Sequence, residues 1–242
     1  MKLGIMQPYF FPYIGYFQLI HAVDKYIFFD TTQYEKKGRW MNRNRIINIK
    51  EGSTYITVPV VNAPLGTVLK DTKINNTKDW REQILAQLDV YRKRALYFKE
   101  IMNLVKDVFS YDGDSLSWLN INSIVAVFRY LGMSFDYDVF SEMDVDVPKC
   151  KKDEWALHIT KTLGYAEYVN LPGGKAFYCR VKFGEHGIEL RFVEPSHRQY
   201  EQKIGRFEAG LSIIDVLMFN SPESVREMLN EYTLSGGAIE SA

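Results

Sequence analysis

The chain has 242 residues and balances 30 Lys plus Arg against 30 Asp plus Glu. Zero formal net charge gives no global field for a polyanion, which argues against extended nucleic acid as a partner. Two cysteines form no disulfide framework, and no apolar run reaches the roughly 18 residues of a membrane span. The setting expected from this is reducing and cytoplasmic, with no signal peptide or membrane span.

Lys2 to Met6 is short and apolar and stops at Gln7-Pro8, which predicts a buried strand. A loop from Pro8 to Tyr13 follows. Phe17, Leu19, Ile20 and Val23 then repeat at helical spacing, and Lys25 to Phe29 reads as a second strand ending at Asp30. Strand, loop, helix, strand is the βαβ pattern of a parallel sheet, with a right-handed crossover expected. A charged segment runs from Glu35 to Arg45, and Tyr55 to Val61 alternates as a strand that Pro59 places at an edge or an end. Helices are predicted at Trp80 to Tyr91, Tyr97 to Ser110 and Ser115 to Leu131, the last capped by Ser115 and stopped by Gly132. Val139 opens a possible strand. Asp153 to Leu163 is a helix closed by Gly164, Tyr168 to Leu171 and Ile188 to Val193 are strands, and Ser221-Pro222-Glu223 opens a last helix. The fold class expected is α/β: a parallel-sheet, nucleotide-binding-like core in one domain over 1–242, with a helix-rich lobe at about 80–165.

Ligands of parallel α/β sheets bind beyond the carboxyl ends of the strands. Gln7 to Tyr16 and Asp30 to Arg45 both stand there, so one shared cleft is expected. Gly15 would allow close backbone approach to a ligand, and Gln7 and Tyr16 would offer donors at a helix start. Phe17, Leu19 and Ile20 already supply the apolar face of that helix, so Tyr16 is expected to face the ligand. Gln33 is placed beside them as a further contact.

The run Lys36-Lys37-Gly38-Arg39-Trp40-Met41-Asn42-Arg43-Asn44-Arg45 interleaves charges with amides. Arg43 or Arg45 could fork onto a diphosphate, Asn42 and Asn44 could read hydroxyls, and Trp40 could stack on a sugar or base. A solvated basic loop is the competing reading. Asp30 and His197 are the candidate catalytic residues, as base or amine anchor, with a plain loop or helix cap as the alternative for Asp30. Pro172-Gly173-Gly174-Lys175 lacks Walker spacing, and Gly173 is retained as a possible ligand-approach position beside the reading as a simple turn. Asp215, in an apolar run, is first a structural acid that needs partners. With no His-x-x-x-His pair or carboxylate-rich cluster, no catalytic zinc is expected, nor any cofactor.

Two family resemblances add to this. Tyr13-Ile14-Gly15-Tyr16 stands where nucleotidylyltransferases and pantothenate synthetase carry His-x-Gly-His. The glycine matches and both histidines are replaced, which leaves open an ATP-using ligase or nucleotidyl-transfer enzyme with a degenerate turn. Over nearly the whole chain, "MQPYFFPYIGYFQLI", "FFDTTQYEKKGRWMNRNRI", "NLPGGKAFY" and "GLSIIDVLMFN" resemble the WbqC-like family. That resemblance implies a role in bacterial surface-polysaccharide (O-antigen) biosynthesis. The expected activity is glycyl or acyl transfer from an acyl or aminoacyl donor to a nucleotide-linked amino sugar. A non-catalytic glycan- or nucleotide-binding protein is the remaining alternative.

Overall fold

A computed structural model describes residues 1–35, 40–50, 52–62 and 64–236. Lys36, Lys37 and Arg39 of the basic run lie outside the described residues.

The chain opens with β1 (Lys2–Met6), α1 (Ile14–His21) and β2 (Lys25–Phe28). An antiparallel ribbon follows, β3 (Arg43–Ile47) with β4 (Ser53–Thr57). Three helices come next: α2 (Trp80–Leu88), α3 (Phe98–Phe109) and α4 (Leu116–Tyr130). Then come β5 (Tyr137–Val139), α5 (Trp155–Thr162), β6 (Glu167–Asn170), α6 (Arg180–Glu185) and β7 (Glu189–Pro195). The described part closes with α7 (Ile213–Phe219), α8 (Pro222–Leu229) and β8 (Tyr232–Gly236). Six strands form one sheet in the order β5-β2-β1-β6-β7-β8, parallel throughout except for β8 against β7. The protein is therefore a mixed α/β fold with a mostly parallel sheet. No helix among the described residues is long and apolar enough to cross a membrane.

Strand alternation sorts the core onto two faces. Tyr26, Phe28, Val169 and Val193 point into the larger cluster, together with α1 to α4, α7 and α8. Leu3, Ile5, Ile27, Tyr168, Leu190 and Phe192 point the other way, onto α5 and α6. Helices on both faces explain why the parallel strands read as apolar runs and not as alternating ones. The helices at 80–130 share the larger cluster with α1 and the sheet.

Local signals account for several helix ends. Ser115 and Ser221 cap α4 and α8 by accepting from Trp118 N and Ser224 N. Gly132 and Gly164 take positive φ at the ends of α4 and α5. Val139 ends β5 instead of opening it. Three elements fall outside the sequence reading: β3, α6 and β8. α1 is buried from Ile14 to Ile20 on every side, because it lies between the sheet and α8. The buried Gln18 donates to the carbonyls of Met228 and Glu231 at 2.7 and 3.0 Å and so ties α1 to the end of α8.

Candidate active site

Strand order reverses between the parallel neighbours β1 and β6: the chain leaves β1 for β2 on one side, while β6 and β7 lie on the other. The loop after β1 therefore sits at a topological switch point, the usual ligand position in such sheets. This loop carries the two prolines and the aromatic cluster. Its backbone is fixed group by group. Asn120 Nδ2 donates to Pro8 O at 2.9 Å, and Phe10 N donates to Trp40 O at 3.0 Å. Asn44 Nδ2 donates to Phe10 O and Phe11 O at 3.1 and 2.8 Å. Phe11 N donates to Ser123 Oγ at 3.3 Å, Ser212 Oγ donates to Phe11 O at 2.7 Å, and Ile213 N donates to Pro12 O at 2.8 Å. Phe11 is held at φ 38°, a left-handed conformation that is strained for a residue with a Cβ. Its ring and that of Phe10 are wholly buried and pack edge to face. The loop is thus a rigid shelf on which Tyr9, Pro12 and Tyr13 are set.

Above the shelf lies a cavity of about 290 Å³ lined by Tyr9, Pro12, Tyr13, Trp40, Asn44, His197 and Gly210. Tyr13 precedes α1 as its cap residue, and burial with Tyr9 alongside pushes its phenol up to about 12. It stays neutral at physiological pH and keeps its O–H to donate. The exposed His197 follows β7, its ring centroid 6.0 Å from that of Tyr13. Gly15 serves these walls and not a ligand. A Cβ there would collide with the Tyr13 ring and stand 2.7 Å from Pro195 Cγ, so the glycine lets Tyr13 fold back against the end of β7.

The Asn-Arg-Asn-Arg segment is resolved by β-strand alternation. In β3, Asn44 points inward and is 3% exposed, while Arg43 and Arg45 are half-buried on the opposite face. The Arg43 guanidinium lies 4.6 Å from the centre of the Tyr55 ring, and the Arg45 guanidinium 5.8 Å from that of Trp40. Trp40 and Tyr55 stack at 6.4 Å. Arg45 donates to Gly210 O at 3.2 Å and stands 3.8 Å from Glu208. Its Nε is buried with no hydrogen-bond partner among the described residues. The result is an aromatic and guanidinium wall running from the cavity along β3.

The other expected site residues take different places. Tyr16, expected to face a ligand, is fully buried and donates its hydroxyl to Gln7 O at 2.8 Å. It is a positioning residue for the loop, because α1 has no wet face to present it on. Gln7 accepts from the O–H of the lining residue Tyr9 at 3.2 Å and does not itself line the cavity. Asp30 is 2% exposed, and both its oxygens accept from Ser141, at 3.0 Å from N and 2.6 Å from Oγ. It ties the end of β2 to the turn at Phe140–Glu142 and does not line the cavity. Gln33 bridges Val68 on the surface, and Asn42 donates to Val58 O at 2.9 Å. Gly173 lies in a helical turn after β6, with open space where a Cβ would be. The shared cleft is accordingly narrower than expected, joining the loop after β1 to Trp40 and Asn44 but not to Asp30. Tyr9, Pro12 and Gly210 are lining residues that sequence reasoning did not single out. Asp215 has the partners it needed: Tyr91 and Tyr200 each donate at 2.6 Å and Gln202 at 2.7 Å.

A doubly covered, mostly parallel sheet with an aromatic-lined cavity at its switch point defines the class as an α/β protein built around a small-molecule-sized site. The WbqC-like protein family model matches residues 7–227, and the chain belongs to that family. It is similar to uncharacterized protein Rv1507c of Mycobacterium tuberculosis (strain ATCC 25618 / H37Rv), with 32% identity over 222 residues, 90% of this chain and 93% of that relative. No solved structure matches the chain.

Proposed function

We propose that the protein is a cytoplasmic transferase that acylates, or glycylates, the amine of a nucleotide-linked amino sugar for surface-polysaccharide biosynthesis. The observation that carries this reading is the cavity beside β3, where a neutral phenol, an imidazole and the Trp40 ring converge, with the Arg45 and Arg43 guanidiniums next to it against Trp40 and Tyr55. The sugar ring fits the volume and the flat faces of Tyr13 and Trp40. The diphosphate extends past Trp40 toward Arg45 and Arg43, whose guanidiniums neutralise its charge. The amine nitrogen attacks the donor's carbonyl carbon. As the C–N bond forms, the leaving group departs with its bonding pair, and His197 takes the N–H proton. The developing oxyanion is met by the Tyr13 O–H. The amide of Asn44 is already committed to the loop carbonyls and is not available for that role. Asp30, bound to Ser141, is left out of the chemistry.

The test is a mass-spectrometric screen of amino-sugar nucleotides with glycine, ATP and acyl thioesters. The expected result is a mass gain of one acyl group on one sugar, with turnover falling about 100-fold or more in His197→Gln. No acylated product across the panel, or undiminished turnover in His197→Gln, would overturn it. Pyrophosphate released with ATP and an amino acid would mark a ligase instead.

A further inference from the structure

A second constellation lies on the other side of the sheet and is independent of the proposed transferase site. Cys150, Glu154 and His158 are spaced four residues apart, across the turn Lys152–Glu154 and into α5. Glu154 and His158 stand one helical turn apart, and Cys150 reaches them from the non-helical segment before the turn. Their thiol sulfur, carboxylate oxygen and ring nitrogen all lie within 4.8 Å of one another, each from a half-buried residue. Cys150 also lines a separate cavity of about 270 Å³, with Phe29, Thr31, Phe140, Val147 and Trp155 among its walls.

Glu154 has an ordinary role: Lys182 donates to it at 2.6 Å, and Lys151 N donates at 3.1 Å. Neither bond accounts for the sulfur and the imidazole beside it. Lys182 also holds Asp153 at 3.0 Å, so it keeps a counter-charge if Glu154 turns toward a cation. His158 makes no hydrogen bond among the described residues, which leaves its ring nitrogens available.

We propose that Cys150, Glu154 and His158 form a three-ligand zinc site whose remaining position opens onto the adjoining cavity. Thiolate, imidazole and carboxylate together suit a borderline-soft cation and not magnesium or calcium, which take oxygen ligands. Tetrahedral bonds to zinc of about 2.0 to 2.3 Å put ligand atoms about 3.3 to 3.8 Å apart, so the three side chains need to close by roughly an ångström. On binding, the thiol proton passes to solvent and the sulfur binds as thiolate. Three protein ligands leave one exchangeable position, as in catalytic zinc sites.

The untagged protein is stripped with chelator and titrated with zinc chloride by calorimetry, then with cobalt(II) by absorption. One equivalent of zinc per chain and a sulfur-to-cobalt charge-transfer band in the near ultraviolet are expected. Cys150→Ser removes the band, and both Cys150→Ser and His158→Gln weaken zinc binding by about tenfold or more. Cys179→Ser, which alters the exposed thiol at the start of α6, changes neither. Zinc also slows alkylation of Cys150 but not of Cys179, read by peptide mass in the unaltered protein, so this readout survives a variant that does not fold. Absence of zinc binding in the unaltered protein, a charge-transfer band that persists in Cys150→Ser, or equal alkylation of Cys150 with and without zinc would overturn the proposal.

Discussion

Asn44→Ala tests whether the shelf under the cavity is held as described. The substitution deletes two donated hydrogen bonds, to Phe10 O and Phe11 O, and one accepted from Arg45 N at 2.8 Å. All three lie in the interior or at its margin, and a buried hydrogen bond contributes about 1 kcal/mol net. Phe11 O keeps Ser212 Oγ, which limits the loss at that carbonyl. The sum is about 3 kcal/mol, and in a chain of this size each kcal/mol moves Tm by about 2–4 °C, so a fall of roughly 6–12 °C is expected. Differential scanning calorimetry measures it, with Asn42→Ala as the control. Asn42 donates one bond from a half-exposed position, and its loss costs about 1 kcal/mol or less. Since the shelf sets Tyr9 and Tyr13, affinity for the sugar nucleotide falls in Asn44→Ala and not in Asn42→Ala. A Tm within about 2 °C of the unaltered protein would refute the clamped-loop reasoning.

Tyr16→Phe keeps the ring and removes the bond to Gln7 O, so a stability loss of about 1 kcal/mol by urea unfolding is expected, with turnover changing far less than in His197→Gln. Gly15→Ala drives a methyl group into Tyr13 and Pro195; overpacking costs about 1–3 kcal/mol, and ligand affinity, measured by calorimetry, drops with it. Burial raises the carboxyl of Asp215 above its ordinary value of 3.8, more than its three donors lower it. The folded state then holds that proton more tightly than the unfolded one, so this contribution to stability is complete below 3.8 and is lost as pH rises through the folded value. Unfolding free energies followed upward from pH 3.8 should show that decline in the unaltered protein and a flatter profile in Asp215→Asn; equal slopes would remove the assignment.

The fold was legible where apolar pattern and punctuation agreed. β1, α1 and β2 follow from a short apolar run, helical spacing and a second run, and the serine caps of α4 and α8 are plain in the letters. β3 was hidden because Arg43, Asn44 and Arg45 look like a solvated loop. Only pairing with β4 shows that their alternation is that of a strand, with the amide turned inward to bind backbone. Tyr16 was misplaced for a related reason. The spacing in α1 is that of a helix with one wet face, and nothing local in the sequence reports that α8 covers its other side. Asp30 stands after a strand, as a site acid would, but its partner Ser141 is 111 residues away. The Cys150, Glu154 and His158 group matches no familiar metal spacing and depends on a turn running straight into α5.

The shelf also constrains the order in which the molecule is finished. Its ties run from Phe11 to Ser123, 112 residues on, and to Ser212, 201 residues on. During synthesis the N-terminal strand and helix emerge first, yet the strained Phe11 conformation has no complete set of partners until the segment before α7 has left the ribosome. Contacts of such long sequence separation form late, because loop closure precedes their reward. The loop after β1 is therefore made before its partners and set only after them. A nascent chain arrested before Ser212 should carry a formed β1 and an unset cavity floor, a state that proteolysis at Tyr9 to Tyr13 would detect.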